Sequence, residues 1–228
     1  MMKEKLAKLI DHTILKPNVQ DQEVQALCSE AKEFGFASVC LNPSYIALAK
    51  NCLAGTDVKI CTVIGFPLGQ NTTETKIFEA EDALELGAEE LDYVVNVSDV
   101  LNGRYDEVKA EMNQFAKLKQ NHSSILIKII LETCYLSLEQ ISKICQLAKE
   151  ANLDFVKTST GFGSGGATVE HVSLMRNTVG LEMGVKASGG IRSYEDAFKM
   201  IEAGASRIGA SASVRIVTEV SAGSSKAQ

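Results

Sequence analysis

Short β-branched segments alternate with longer amphipathic segments along nearly the whole chain, and this alternation constrains the fold more than any other feature. Apolar residues in short, β-branched runs favour strands, and apolar residues spaced by three and four favour helices. The predicted strands are residues 9–14, 37–41, 58–64, 90–95, 126–131, 155–159, 184–187 and 207–209. The predicted helices are residues 21–34, 44–52, 72–86, 105–120, 137–151, 168–179, 194–203 and 212–220. Each strand is followed by a helix, as in a parallel α/β sheet.

Eight such units close naturally into a single (β/α)8 barrel, the TIM barrel, for which about 200–250 residues is the usual length. A doubly wound sheet would be expected to carry a GxGxxG loop after its first strand, and the sequence has none there. No linker-like segment divides the 228 residues. We therefore predict one domain over residues 1–228, with a short N-terminal helix and a mobile polar tail from about residue 221.

Several predicted helix ends carry residues that favour ending or starting a helix. Gly35, Gly87 and Gly204 each follow a helix and suit the left-handed position just after it. Ser137, followed three residues later by Gln140, predicts a capping box at the start of the fifth helix.

Composition excludes several classes of function. The net charge of −6 and the absence of a run of Lys and Arg argue against a nucleic-acid partner. No apolar segment approaches the roughly 20 residues that a membrane span needs, so we expect a cytoplasmic protein without a membrane partner. The six cysteines form no CxxC pair and are expected to be reduced thiols. The three histidines lack metal-site spacing, so a metal site built by the protein is not expected.

Two adjacent predicted strands share the pattern V-K-x-S-x-G, which places Lys157 and Lys186 at equivalent depth. Neighbouring strands lie about 4.8 Å apart, so two ammonium groups in one barrel mouth would repel each other and one would lose its proton early. An uncharged lysine amine can attack a carbonyl carbon to form a Schiff base. The alternative is that each lysine pairs with a carboxylate or leans out of the barrel.

Two further ionisable residues lie on neighbouring predicted strands between apolar residues. Asp92, if it faces inward, can stabilise the lysine charges and relay protons. Lys128 is also expected to face inward, either as a buried partner of Asp92 or Glu132 or in a catalytic role.

Glycine and small hydroxyl residues follow the last three predicted strands. They occupy residues 161–166, 188–190 and 209–211, and include Gly161, Ser188, Gly189, Gly190, Gly209 and Ser211. Backbone N–H groups without bulky side chains form an anion cradle, and in TIM barrels the last two loops commonly bind phosphate. The pattern predicts a phosphorylated small-molecule substrate, whereas the alternative is that these glycines only permit tight turns.

Seven segments in order resemble the class I 2-deoxyribose-5-phosphate aldolase family, over nearly the whole chain. They are LIDHT at 9–13, VCLNP at 39–43, GFPLG at 65–69, LDYVVN at 91–96, KIILET at 128–133, FVKTSTGF at 155–162 and VKASGGIR at 185–192. The resemblance implies reversible cleavage of 2-deoxy-D-ribose 5-phosphate to D-glyceraldehyde 3-phosphate and acetaldehyde, in deoxyribonucleoside catabolism. It further implies no metal or organic cofactor, and a homodimer or homotetramer.

The same resemblance implies roles for individual residues. Lys157 is the Schiff-base lysine, Lys186 lowers its pKa and shares its protons, and Asp92 is the proton donor and acceptor. The implied supporting network contains Asp11 and Thr13 around Lys186, Cys40 at the aldehyde end of the pocket, and Lys128. The implied substrate- and phosphate-binding residues are Thr158, Gly161, Ser188, Gly189, Gly190, Gly209 and Ser211.

The chain departs from the family pattern at two places. Well-studied members end in a tail with a tyrosine that assists enamine protonation, whereas the last tyrosine here is Tyr194. Some members have a lysine and a second serine where this chain has Phe162 and Ala212. We therefore expect Arg192 or backbone dipoles to offset more of the phosphate charge.

Four alternative functions belong to other classes. A zinc-dependent aldolase is disfavoured by the histidine count and would be sensitive to chelators. A sugar-phosphate isomerase or an FMN oxidoreductase could share the glycine loops but would not need paired lysines. A non-catalytic sugar-phosphate sensor would bind its ligand without turnover.

Overall fold

The computed structural model describes residues 3–224, with side chains from residue 3 to residue 220. Eight parallel strands form a closed barrel in which β8 pairs with β1. The strands are β1 (Ile10–Ile14), β2 (Ser38–Leu41), β3 (Lys59–Ile64), β4 (Glu90–Val94), β5 (Leu126–Ile130), β6 (Phe155–Lys157), β7 (Gly184–Ser188) and β8 (Arg207–Ala210). The predicted TIM barrel is confirmed, and all eight predicted strands are present with ends within two residues of the prediction.

Helices surround the barrel in the predicted order. They are α1 (Lys3–Ala7), α2 (Asp21–Phe34), α3 (Ile46–Cys52), α4 (Thr73–Leu86), α5 (Val97–Leu101), α6 (Tyr105–Asn121), α7 (Leu138–Glu150), α8 (Val169–Val179), α9 (Tyr194–Glu202) and α10 (Ser213–Ser224). The short helix α5 and the 3₁₀ segment Thr133–Tyr135 were not predicted, because neither is long enough to show a helical period. Helix α10 extends into the stretch predicted to be a mobile tail, and residues 225–228 lie outside the described part.

The residues predicted to end or start helices have the expected geometry. Gly35 and Gly87 follow α2 and α4 with φ of 67° and 116°, which is the left-handed region that glycine tolerates best. The Ser137 side chain accepts a hydrogen bond from the backbone N–H of Gln140, whose side chain accepts one from the Ser137 N–H. Local sequence therefore determines these helix boundaries without help from distant contacts.

The apolar core lies between the barrel and the helices, whereas the inside of the barrel is largely polar. Tyr93 on β4 and Phe115 on α6 stack with ring centroids 3.7 Å apart in that apolar layer. Inward-facing positions of TIM barrels usually carry branched apolar side chains. Here the buried positions of several strands carry charge, including Asp11, Asp92 and Lys186. Over residues 3–224, the helices are too short or too polar to cross a membrane.

Candidate active site

Strand register brings the two predicted lysines together. Lys157 on β6 is the register partner of Lys186 on β7, and Asp92 on β4 is the register partner of Lys128 on β5. Register partners on neighbouring parallel strands point to the same face of the sheet. All four side chains are almost completely buried inside the barrel.

Asp92 contacts three ammonium groups. Its Oδ2 atom lies 2.7 Å from the Nζ atoms of both Lys157 and Lys186, and its Oδ1 atom lies 2.8 Å from Nζ of Lys128. Burial raises the pKa of the Asp92 carboxyl, but the three lysines outweigh burial and hold that pKa well below its usual range. Asp92 is therefore a carboxylate at neutral pH, and it joins the two lysines through one oxygen.

Asp11 on β1 is the second carboxylate beside Lys186. It forms an ion pair with the Lys186 ammonium and accepts a hydrogen bond from Nη1 of Arg207 at 2.6 Å and from Oγ of Ser38 at 2.8 Å. Burial lowers the pKa of Lys186, but Asp11 and Asp92 outweigh burial and raise it above the ordinary lysine value. The repulsion predicted between Lys157 and Lys186 is thus offset by carboxylates, and Lys186 remains a cation at neutral pH.

We refer to the connected ionised side chains inside the barrel as the charged cluster. Its members are Asp11, Glu90, Asp92, Lys128, Lys157, Lys186 and Arg207. With every member ionised, the four cations exceed the three carboxylates by one charge. Loss of one proton from a lysine would therefore make the cluster neutral.

The contacts of Lys128, Thr13 and Cys40 show how far each predicted supporting residue lies from the cavity and from Lys186. Lys128 lies 2.6 Å from Oε2 of Glu90 and contacts Asp92, so its partners are these two carboxylates and not Glu132. Thr13 donates its hydroxyl to the backbone oxygen of Asp11 at 2.8 Å and so reaches Lys186 only indirectly. Cys40 is fully buried with Cys61 and Val63 and is not on the cavity wall described next.

A cavity of about 650 Å³ opens at the carboxyl ends of β1, β6, β7 and β8. Lys157 lines this cavity, whereas Lys128 and Lys186 do not. Seven other residues predicted for the site also line it: Thr13, Gly161, Ser188, Gly189, Gly190, Gly209 and Ser211. Arg192 and Phe162 are part of the same wall. The Lys157 side chain and the glycine loops thus line the same cavity.

The loops after β6 and β7 pack backbone against backbone. The N–H of Ala167 donates to the carbonyl oxygens of Ser188 and Gly189 at 3.0 and 3.1 Å. A Cβ atom on Gly166 would lie 2.2 Å from the Gly189 carbonyl oxygen, so no larger residue fits without moving a loop. The N–H groups of Gly161 and Gly189 donate to no protein acceptor within the described chain. Both residues line the cavity.

Thr158 lies behind the cavity wall and not on it. Its hydroxyl donates to the Ser188 carbonyl oxygen at 3.0 Å and accepts from the Ser188 N–H at 3.1 Å. Thr158 directly follows Lys157, which faces inward, so strand alternation turns the next side chain away from the barrel interior. The hydroxyl of Thr158 therefore ties β6 to β7.

Two members of the charged cluster were not predicted from the sequence. Arg207 begins β8 and contacts Asp11, and Glu90 begins β4 and contacts Lys128. Strand alternation could have identified Glu90, because Glu90 lies two residues before Asp92 on the same strand and therefore faces the same side of the sheet. Charged residues at strand starts are usually solvated, which hides this signal.

Two groups of possible metal ligands occur inside the described barrel: Cys40, Cys61 and Asp92, and Asp11, Cys61 and Glu90. Every carboxylate in these groups already contacts an ammonium or guanidinium group. A metal cation would have to replace those positive groups as the partner of the carboxylates. It would still lie close to them and be repelled by them. The electrostatics of the barrel interior therefore disfavour a metal cation at either group.

The chain is similar in sequence and in fold to known aldolases. The family model described as "DeoC/LacD family aldolase" matches residues 5–224. The deoxyribose-phosphate aldolase of Caldanaerobacter subterraneus subsp. tengcongensis is 60% identical over 214 residues, covering 94% of this chain and 93% of that protein. The deoxyribose-phosphate aldolase of Thermoanaerobacter sp. strain X514 is 61% identical, covering 94% and 96%. A tetrameric deoxyribose phosphate aldolase structure from Aeropyrum pernix superposes with a TM-score of 0.89 at 37% identity, covering 96% and 92%.

Proposed function

The chain belongs to the DeoC/LacD aldolase family, and on this premise we propose that it cleaves 2-deoxy-D-ribose 5-phosphate reversibly through a Schiff base on Lys157. The products are D-glyceraldehyde 3-phosphate and acetaldehyde, so the enzyme is a carbon–carbon lyase acting in deoxyribose phosphate breakdown. One observation carries this assignment of residues: Lys157 faces the cavity while its ammonium group contacts the carboxylate that also holds Lys186.

Lys157 is the nucleophile because it is the lysine of the charged cluster that lines the cavity. Its uncharged amine attacks C1 of the open-chain aldehyde, and the carbinolamine loses water to give a protonated imine. Loss of the ammonium proton brings the charged cluster to neutrality. Lys186 remains protonated beside it because Asp11 and Asp92 stabilise its charge.

The protonated imine is the electron sink for carbon–carbon cleavage. A water molecule oriented by Asp92 and Lys186 takes the proton of the C3 hydroxyl and passes one of its own protons to the Asp92 carboxylate, and the C2–C3 electron pair moves into the imine. Glyceraldehyde 3-phosphate leaves, and an enamine remains on Lys157. Asp92 returns the proton through the water molecule to C2 of the enamine, and a second water hydrolyses the resulting imine, which releases acetaldehyde and restores the amine. The imine supplies the electron sink, so no organic cofactor takes part in the proposed chemistry.

The loops after β6, β7 and β8 bind the phosphate end of the substrate. The N–H groups of Gly161 and Gly189, which donate to no acceptor among the described residues, supply donors, and Arg192 on the same cavity wall supplies positive charge. The phosphate is thereby held at one side of the cavity with the aldehyde directed to Lys157. Fixed orientation of the reacting carbonyl is itself a large part of the rate enhancement.

Substituting Gly166 tests the packing between these loops. Because a Cβ at residue 166 would meet the Gly189 carbonyl, Gly166→Ala is expected to lower kcat/KM for deoxyribose 5-phosphate by about ten- to a hundredfold, mostly through KM. Steady-state kinetics measure this. Ser164→Ala, an exposed change in the same loop, is the control and is expected to match the wild type. Unchanged KM in Gly166→Ala would contradict the placement of phosphate at this junction.

The reaction itself is tested with purified enzyme and 2-deoxyribose 5-phosphate. Glyceraldehyde 3-phosphate is measured with a coupled dehydrogenase, and acetaldehyde is measured by NMR. Equal amounts of both products, formed in the presence of a chelator, are expected. Absence of both products would contradict the assigned reaction, and loss of activity with the chelator would favour a metal-dependent aldolase.

We further infer a homodimer or homotetramer, supported by the tetrameric structure of the Aeropyrum pernix relative. The six cysteines are all free in the structure, which supports a reducing, cytoplasmic location. Size-exclusion chromatography with light scattering tests the first inference, and a monomer at micromolar concentration would contradict it.

A further inference from the structure

Glu132 is a buried carboxylate that the mechanism above does not use. It lies between β5 and the 3₁₀ segment Thr133–Tyr135, with 3% of its surface exposed. No Lys or Arg of the described residues forms an ion pair with it. Buried carboxylates are costly unless hydrogen bonds or cations compensate them, so its partners must account for its position.

Both oxygens of Glu132 bind the same residue of the loop after β6. Oε1 accepts a hydrogen bond from the backbone N–H of Thr160 at 3.2 Å, and Oε2 accepts one from the Thr160 hydroxyl. The Thr160 hydroxyl oxygen in turn accepts from the N–H of Phe162 at 3.0 Å. One carboxylate therefore orders the first three residues of the loop formed by residues 160–166.

The backbone at Glu132 has a conformation that is unfavourable for glutamate. Its φ of 55° lies in the left-handed region, which is unfavourable for residues other than glycine, asparagine and aspartate. The N–H groups on either side compensate, because Leu131 donates to the Lys157 carbonyl oxygen at 2.9 Å and Thr133 donates to that of Thr158 at 3.0 Å. This conformation directs the carboxylate toward the loop that follows Lys157.

The rest of the loop packs against Cys134, which lies two residues after Glu132 in the 3₁₀ segment. A Cβ on Gly163 would lie 2.9 Å from Sγ of Cys134, and one on Gly165 would lie 3.1 Å from Cβ of Cys134. The loop of residues 160–166 thus contacts Glu132 at its start and Cys134 at its middle.

These contacts determine which backbone N–H groups of the loop remain for a ligand. The N–H groups of Thr160 and Phe162 are used by the Glu132 and Thr160 contacts, and that of Gly161 between them donates to no protein acceptor in the described chain. Thr160, Gly161 and Phe162 all line the cavity. We propose that Glu132 is a positioning residue, which fixes the loop after β6 so that the Gly161 N–H binds the phosphate group of the substrate. The proposal rests on the proposed function, because it concerns the phosphate end of the same site.

The experiment compares the same variants on 2-deoxyribose 5-phosphate and on unphosphorylated 2-deoxyribose. Glu132→Ala is expected to reduce the ratio of the two kcat/KM values about tenfold, mainly by raising KM for the phosphorylated sugar. The inhibition constant of inorganic phosphate is expected to rise by a similar factor. Loss of folding stability alone would reduce both activities together and leave the ratio unchanged, which would overturn the proposal.

Two more variants keep the test decisive. Glu132→Gln retains an oxygen for the Thr160 N–H but not the acceptor for its hydroxyl, and is expected to move the ratio in the same direction by a smaller factor. If Glu132→Ala does not fold, an unchanged ratio in Glu132→Gln overturns the proposal. Glu139→Gln, an exposed charge removal in the first turn of α7, is the control and should match the wild type. A wild type that cleaves neither sugar would instead refute the proposed function.

Discussion

Lys157→Met is expected to abolish aldol cleavage, with a loss of about 10⁴-fold or more in kcat, because methionine provides no amine to form the imine. The fold is expected to persist. Methionine has a similar length and removes one of the four positive charges of the charged cluster, which leaves three cations and three carboxylates. Asp92 keeps its contacts with Lys128 and Lys186. Activity is measured with the coupled assay, and folding by circular dichroism and thermal unfolding.

Lys117→Met is the matched control, because Lys117 is an exposed lysine on α6 and lies outside the cavity. It is expected to retain wild-type turnover. Appreciable cleavage by a folded Lys157→Met protein would refute the assignment of the nucleophile. An unfolded variant would show instead that the Lys157 charge is needed to hold the barrel together, contrary to the charge balance described above.

Asp92→Asn is expected to affect both stability and activity. Asparagine keeps the shape but removes the negative charge that three buried ammonium groups share, and breaking a buried ion pair from one side costs about 3–5 kcal/mol. Loss of the proton-transfer group is expected to lower kcat by about 10²–10⁴-fold. Denaturant unfolding measures the free energy of unfolding, and the coupled assay measures kcat. Asp57→Asn, an exposed change in a loop, is the control for both.

A double variant separates charge imbalance from lost contacts. Combining Asp92→Asn with Lys128→Met removes one anion and one cation, so part of the lost stability is expected to return while activity remains low. Equal stability of Asp92→Asn and the wild type would contradict the role of Asp92 in compensating the lysines. Full activity in a folded Asp92→Asn protein would contradict its role in proton transfer.

Much of the fold could be predicted because each βα unit encodes its own period and its own boundaries. Gly35 and Ser137 are local signals, and both have the predicted conformation in the structure. Helix α5 (Val97–Leu101) escaped prediction because five residues span little more than one turn. Asn96 accepts a hydrogen bond from the Asp99 N–H at its start, which in hindsight is its only local signal.

The candidate site was predictable only in part. The repeated V-K-x-S-x-G pattern placed Lys157 and Lys186 on adjacent strands, and the register pairs them as predicted. The partners of Lys186 were harder to see, because Asp11 lies on β1 and reaches it only when the barrel closes. The pairing of Arg207 with Asp11, 196 positions apart, depends on the same closure. Such contacts follow from topology and not from local pattern.

Borohydride trapping with acetaldehyde tests the imine mechanism most directly. The enzyme is incubated with acetaldehyde and reduced, and intact mass and peptide mapping then locate any adduct. The structure leads us to expect a single ethyl group on Lys157, the lysine of the charged cluster that faces the cavity. No adduct, or adducts spread over surface lysines, would contradict Schiff-base catalysis at this residue.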